Sequence, residues 1–157
     1  MIEVTQNQKI SLPYNVSLSI KREDLIHPHI SGNKYRKLTH NIAFAKANNY
    51  KTLLTFGGAY SNHIAATAVA GDIYDFHTIG IIRGDELGVD LDKTLAENKT
   101  LQQAASHGMK FKFISRALYK QKEEGSFLSM LKEEYPDAYI LPEGGTNNLA
   151  IKGCEEY

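Results

Sequence analysis

Three short stretches of the chain bring together residue types that can do chemistry. The first is SGNKYRKL, Ser31 to Leu38. Tyr35, Leu38, Ile42 and Ala45 recur at steps of three and four, which predicts a helix with one buried stripe, and Lys34 falls at its start. The first turn of a helix is electropositive, and Arg36 and Lys37 add charge beside it. Such surroundings, with partial burial, disfavour an ammonium and favour the free amine. A free amine is what a lysine needs to form a Schiff base with an aldehyde or ketone. An ordinary surface lysine fits the same spacing.

The second stretch is TFGGAYSNH, Thr55 to His63. An apolar strand ends in two glycines, and Ser61, Asn62 and His63 then open a helix. Glycines allow close backbone approach, and the free amides of a helix start favour an anion. Ser61 and Asn62 add side-chain donors at the same place. The pattern is neither a Walker loop nor a G-x-G-x-x-G fingerprint, so it does not point to a nucleotide. The third stretch, LPEGGTNN from Leu141 to Asn148, is another glycine turn at a strand end and is placed to line the same cleft. Glu143 within it is a possible acid or base, though a loop carboxylate at the surface is the plainer reading. Histidines 27, 29, 40, 63, 77 and 107 have no metal-ligand spacing. Cys154 lacks a base partner and reads as a small buried residue.

The elements that must position these residues alternate between strand-like and helix-like runs, the pattern of an α/β parallel sheet. Strands are predicted at Val16 to Lys21, Thr52 to Phe56, Phe76 to Gly84, Phe111 to Ser115 and Ala138 to Leu141. Helices are predicted after Ser31-Gly32-Asn33, which break the chain and can cap, and over Ile64 to Gly71, a run of small residues that lets a helix approach a sheet closely. Further helices are predicted around Thr94 to His107 and Lys122 to Glu134, and a last one capped by Asn147 or Asn148. In such a sheet, ligands sit at the carboxyl ends of the strands.

The chain has 157 residues, enough for one domain with a real core. Hydrophobic residues make up 42% and charged residues 23%, which argues against disorder or fibre. Eighteen basic residues balance eighteen acidic ones, so neither nucleic acid nor a membrane is an expected partner. The charge is uneven: residues 1–50 carry +4 and residues 51–157 carry −4. There is no apolar run of membrane-spanning length and no signal-peptide core in MIEVTQNQKI. The single cysteine excludes an internal disulfide. A cytoplasmic protein is the simplest expectation.

Four segments in order, KREDLIHPHISGNKYRKL, FGGAYSNHIAATA, ISRALY and LPEGGTNNLAIKG, resemble the pyridoxal-phosphate enzymes of the D-cysteine desulfhydrase and 1-aminocyclopropane-1-carboxylate deaminase group. These have the tryptophan-synthase-β-like fold (fold type II). The resemblance implies that Lys34 holds pyridoxal 5'-phosphate covalently and that Asn62 hydrogen-bonds the cofactor's phenolic oxygen. It implies that Ser61, Asn62 and His63 receive the carboxylate of a small amino-acid substrate, with Lys34 and Ser61 as catalytic residues. His63 stands where the dedicated deaminases tend to carry Gln, which leans towards D-cysteine. An imidazole that changes charge near neutral pH would be a local acid–base group.

Members of this group are longer, and their glycine-rich phosphate cradle follows the region matched here. The chain therefore resembles their N-terminal part. Residues 1–49 would carry the cofactor lysine and belong with an absent larger domain. Residues 50–145 would be the small α/β domain, a short, mainly parallel sheet covered by helices, and residues 146–157 would begin a helix leading back to the larger domain. The complete enzyme is expected to be a homodimer, and the chain alone to turn over poorly. Two other readings of the same residues stay open: a cofactor-free α/β module that holds a small anion at Gly57 to His63, and a structural fragment with no site.

Overall fold

The computed structural model describes residues 4–30 and 32–156. Its centre is β3 (Thr52–Gly58), an apolar run buried on both faces until its last glycine. β4 (His77–Arg83) and β6 (Ala138–Ile140) flank it, and β5 (Lys110–Ile114) lies beyond β4, giving the order β5-β4-β3-β6. Every pairing in this sheet is parallel. The register sets Gly58 against Arg83 and Arg83 against Ile114, so β3, β4 and β5 finish level at their carboxyl ends, while β6 stops at Ile140 opposite Leu54. The chain leaves β3 towards β4 and β5 and then returns to β6 on the other side. That reversal makes a crevice at the carboxyl ends of β3 and β6, where open α/β sheets bind ligands.

Alternate strand residues face opposite layers. On one side, Leu53 packs with α1 (Asn33–Ala47) and α2 (Asn62–Tyr74) through Leu38, Ile42, Ala45, Ala66 and Val69. On the same side, Ile82 meets α2 and α4 (Lys99–Ser106) through Ile64, Leu101 and Ala104. On the other side, Leu54, Phe56, Ile79 and Ile81 pack against Tyr119 of α5 (Arg116–Tyr119) and Phe127 and Leu131 of α6 (Gly125–Glu134). The small residues of α2 have the predicted consequence. A Cβ on Gly71 would sit 2.2 Å from Thr78 Cγ2 and 3.0 Å from the Phe76 carbonyl oxygen. A similar approach joins α7 (Asn148–Glu155) to α1, because a Cβ on Gly153 would sit 2.2 Å from the Arg36 carbonyl oxygen.

The strands and the sheet class agree with the sequence reading, with four differences. The helix expected around Thr94 to His107 is two helices, α3 (Leu91–Glu97) and α4. Asn98 divides them: its side chain accepts a hydrogen bond from the Leu101 amide at 2.9 Å and caps α4. Its preference for a cap over a helix interior explains the break. The strand expected at Val16 to Lys21 is β2 (Leu18–Lys21), paired antiparallel with an unpredicted β1 (Asn7–Ile10) in a separate hairpin. Both hairpin strands are almost wholly exposed, including Leu18 and Ile20. The charged helix expected from Lys122 begins at Gly125. Cys154, expected to be buried, is exposed on α7. The proposed cap Ser31 lies outside the described residues. No helix among them is long and apolar enough to cross a membrane.

Two glycine substitutions separate packing from propensity. Alanine is the better helix former by about 1 kcal/mol, but at Gly71 it collides with Thr78 on the buried side of α2. Gly71→Ala is expected to lower unfolding stability by about 1–3 kcal/mol. Gly125→Ala, with open space at its Cβ, is expected to be neutral or to stabilise by about 0.4–1 kcal/mol. Urea titrations of the two variants check both signs.

Candidate functional site

The crevice is built from the end of β3. Gly57 is required there: a Cβ would lie 2.5 Å from Ile64 Cγ1 and 2.8 Å from Ser61 Cβ. The chain then turns through Ala59 and Tyr60 into Ser61, the N-cap of α2, whose hydroxyl accepts from the Ile64 amide at 3.5 Å. Asn62 and His63 are the first two helical residues, so their amides have no carbonyl partner within α2. Ser61 is half-buried and Asn62 exposed, both at the mouth.

Lys34 reaches the crevice from the first turn of α1. Its Nζ donates to the Gly144 carbonyl at 3.4 Å. Lys37, one turn away in sequence, donates to the same carbonyl at 3.4 Å and to Thr146 Oγ1 at 2.7 Å. Gly144 and Gly145 have φ of 69° and 68°, left-handed values that favour glycine, and this conformation presents the carbonyl to the two amines. Lys34 is half-buried. Burial first, and then the neighbouring Lys37 ammonium, lower its pKa from the ordinary lysine range. That is the direction the sequence required of a Schiff-base lysine. Lys34 and Asn62 line one cleft of about 470 Å³, with Pro28, His29, Gly32 and Gln103. The sequence reading set His29 aside with the other histidines and passed over Gln103, because neither carries a local signal: they arrive from a loop and from α4.

His63 is placed differently from its neighbours. Its side chain turns inward and is almost wholly buried, with Nε2 at 2.8 Å from Thr55 Oγ1. The Thr55 hydroxyl donates to the Leu141 carbonyl at 3.1 Å. It therefore accepts from His63, which assigns the proton to Nε2 and leaves Nδ1 bare. Nδ1 has no hydrogen-bond partner among the described residues. The ring lies against the glycine turn, where a Cβ on Gly145 would sit 2.7 Å from its Cε1. Burial, then the Lys34 and Lys37 charges, lower the imidazole pKa from 6.5 to about 3. The expected acid–base group near neutral pH is thus a ring that is neutral there, and only the His63 backbone amide belongs to the helix mouth.

Glu143 is exposed at the surface, as the sequence reading had it, and is also paired. It accepts from the Tyr119 hydroxyl at 2.8 Å and pairs with Lys122 at 3.3 Å. Burial and this hydrogen bond raise the Tyr119 pKa, so the phenol stays protonated. No group of three or more His, Cys, Asp or Glu among the described residues is placed to hold a metal.

The chain is similar to known enzymes of one kind. A mitochondrial protein of Arabidopsis thaliana named bifunctional D-cysteine desulfhydrase/1-aminocyclopropane-1-carboxylate deaminase is 34% identical over 149 residues, covering 92% of this chain and 37% of that protein. A Klebsiella pneumoniae D-cysteine desulfhydrase is 27% identical over 139 residues, covering 87% and 41%. The crystal structure of an ACC deaminase homologue superposes with a TM-score of 0.72 at 26% identity, over 97% of this chain and 47% of that one. A hydrogen sulfide-producing enzyme from Fusobacterium nucleatum shares the fold, with a TM-score of 0.62 at 11% identity over 88% and 42%. No protein-family model matches. The resemblance read from the motifs therefore holds, and the chain spans about two-fifths of the length of these curated relatives.

The neutrality of His63 is directly measurable. Between pH 5 and 8 its ring nitrogens are expected to hold the Nε2–H pattern in ¹⁵N NMR, with no titration. Below the ordinary value of 6.5 the unfolded chain binds a proton that the folded ring refuses until about pH 3. The contribution of His63 to stability is therefore complete above pH 6.5 and is lost as the pH falls towards 3. A His63 midpoint between pH 5.5 and 7.5 would contradict the buried placement.

Proposed function

We propose that this chain is the part of a pyridoxal-phosphate-dependent enzyme that supplies the cofactor lysine, Lys34, and the turn that receives the substrate carboxylate, Ser61 to His63. The observation that carries this reading is the shared cleft. A partly buried amine with lowered basicity and the Asn62 side chain come from different helices and open on one space. They do so in a chain related to enzymes named for amino-acid deamination and desulfhydration.

The residues present fit one end of the cofactor. Lys34 Nζ suits its aldehyde, and the Asn62 amide is a donor for its phenolic oxygen. No residue of this chain is assigned to the cofactor's phosphate. When bound, the cofactor supplies a carbonyl for amine exchange and an electron sink for bond cleavage at the substrate's α-carbon. Lys34 Nζ, with its lowered basicity, would be the group that holds and moves a proton there. Ser61 Oγ and the first amides of α2 bind and orient the substrate carboxylate. His63 contributes its amide and, through Thr55, the position of the turn.

The reaction is deamination of a small amino acid to a 2-oxo acid and ammonia, of the D-cysteine desulfhydrase kind, with sulfide also released. The cyclopropane amino acid is the second reading, favoured by the bifunctional relative's name. The buried His63 ring removes one argument for preferring D-cysteine. Residues 50–145 are proposed as the small domain. Residues 1–49 and 146–157 are proposed to pack on a larger one, a role that suits the exposed hairpin. In the complete protein we place the enzyme in the cytoplasm as a homodimer.

Incubating the chain with pyridoxal phosphate, reducing with borohydride and mapping peptides tests the site without needing turnover. The pyridoxyl group is expected on Lys34. Asn62→Ala should weaken cofactor retention about ten-fold, the loss of one hydrogen bond to a charged group. A label on another lysine that persists in Lys34→Ala would overturn the assignment.

A further inference from the structure

A second cleft, of about 590 Å³, opens across the carboxyl ends of β3, β4 and β5 and shares no lining residue with the Lys34–Asn62 cleft. Arg83, the last residue of β4, lines it as an exposed residue, paired along the sheet with Gly58 and Ile114. Its guanidinium lies 5.7 Å from the centre of the Tyr119 ring. Its Nη2 is 3.5 Å from where a Cβ on Gly58 would be. The Tyr119 platform is itself fixed, buried and tied through its hydroxyl to Glu143 at 2.8 Å.

The other charges of this cleft are largely matched. Arg116 pairs with Glu86 at 2.5 Å, and Lys122 with Glu143 at 3.3 Å. Lys120 and Glu97 line the outer part, both exposed. The Arg83 backbone is paired within the sheet, but its guanidinium makes no hydrogen bond or ion pair with any described residue and only lies over the Tyr119 ring. A guanidinium held over an aromatic face has its planar fork pre-oriented while its donors stay free. Such a fork matches a carboxylate through two parallel hydrogen bonds.

We propose that Arg83 is the receptor for a small carboxylate in this second cleft. Tyr119 holds the guanidinium, and the ligand seats beside Gly58 to Tyr60, in a cleft whose lining does not include Lys34. The site needs no cofactor, and it stands or falls separately from the Schiff-base role of Lys34.

The test is a titration of the cofactor-free chain with pyruvate and with D-aspartate, followed by the Arg83 Nε–H resonance and by calorimetry. A saturable shift of that resonance is expected, with affinity reduced about ten-fold or more in Arg83→Gln. Arg83→Lys should restore charge but not the two-bond geometry, and so remain weaker than the native chain. Lys34→Ala should bind as the native chain does. Pyruvate binding would identify a free 2-oxo acid as the ligand type. Binding of D-aspartate alone would identify a second carboxylate on the substrate. Either supports the Arg83 site. Non-saturating shifts, unchanged affinity in Arg83→Gln, or loss of binding in Ser61→Ala instead would overturn it.

Discussion

One buried hydrogen bond, between His63 and Thr55, joins the parts of the crevice. Thr55 belongs to the central strand, His63 to the first turn of α2, and the same threonine hydroxyl holds the Leu141 carbonyl where β6 gives way to the glycine turn. That turn carries Gly144, whose carbonyl meets Lys34 and Lys37. A neutral hydrogen bond is worth only about 1 kcal/mol net, but leaving one buried partner unpaired costs about 1–3 kcal/mol. The link therefore acts less as a source of stability than as a constraint on register. The helix mouth and the lysine turn hold one relative position because any other would strand a hydroxyl or a ring nitrogen.

The same constraint accounts for the electrostatics. Two lysine amines face one carbonyl beside a buried imidazole. Burial first, and then the two lysine charges, keep the imidazole neutral, while burial and the Lys37 charge push Lys34 towards its free amine. Gly145 completes the arrangement, since a side chain there would displace the ring.

Much of this was legible in the sequence, for physical reasons that can be named. β3 and α2 announce themselves because an apolar run, a glycine pair and a run of small residues each have one structural use. Lys34 and Asn62 were assigned to one site through the family resemblance, and the structure gives them a common cleft. The direction of the His63 side chain was not legible. A residue at the second position of a helix can face the mouth or the strand, and only the neighbouring Thr55 and Gly145 decide which. Asn98 divided a helix because a capping side chain beat a continuous periodic pattern. Cys154 looked like a core residue by type but falls on the outer face of α7. β2 was read from its alternation, whereas its partner β1 left no signal, because Asn7 to Lys9 are polar and exposed.

The central claim is that these elements converge to keep the Lys34 amine less basic than a surface lysine. Site-resolved ¹³C NMR of the lysine Cε carbons across alkaline pH measures it directly, without cofactor or substrate. Lys34 is expected to titrate below the ordinary lysine range, because burial and the Lys37 charge both act in that direction. A Lys34 midpoint indistinguishable from those of the exposed lysines would contradict the account.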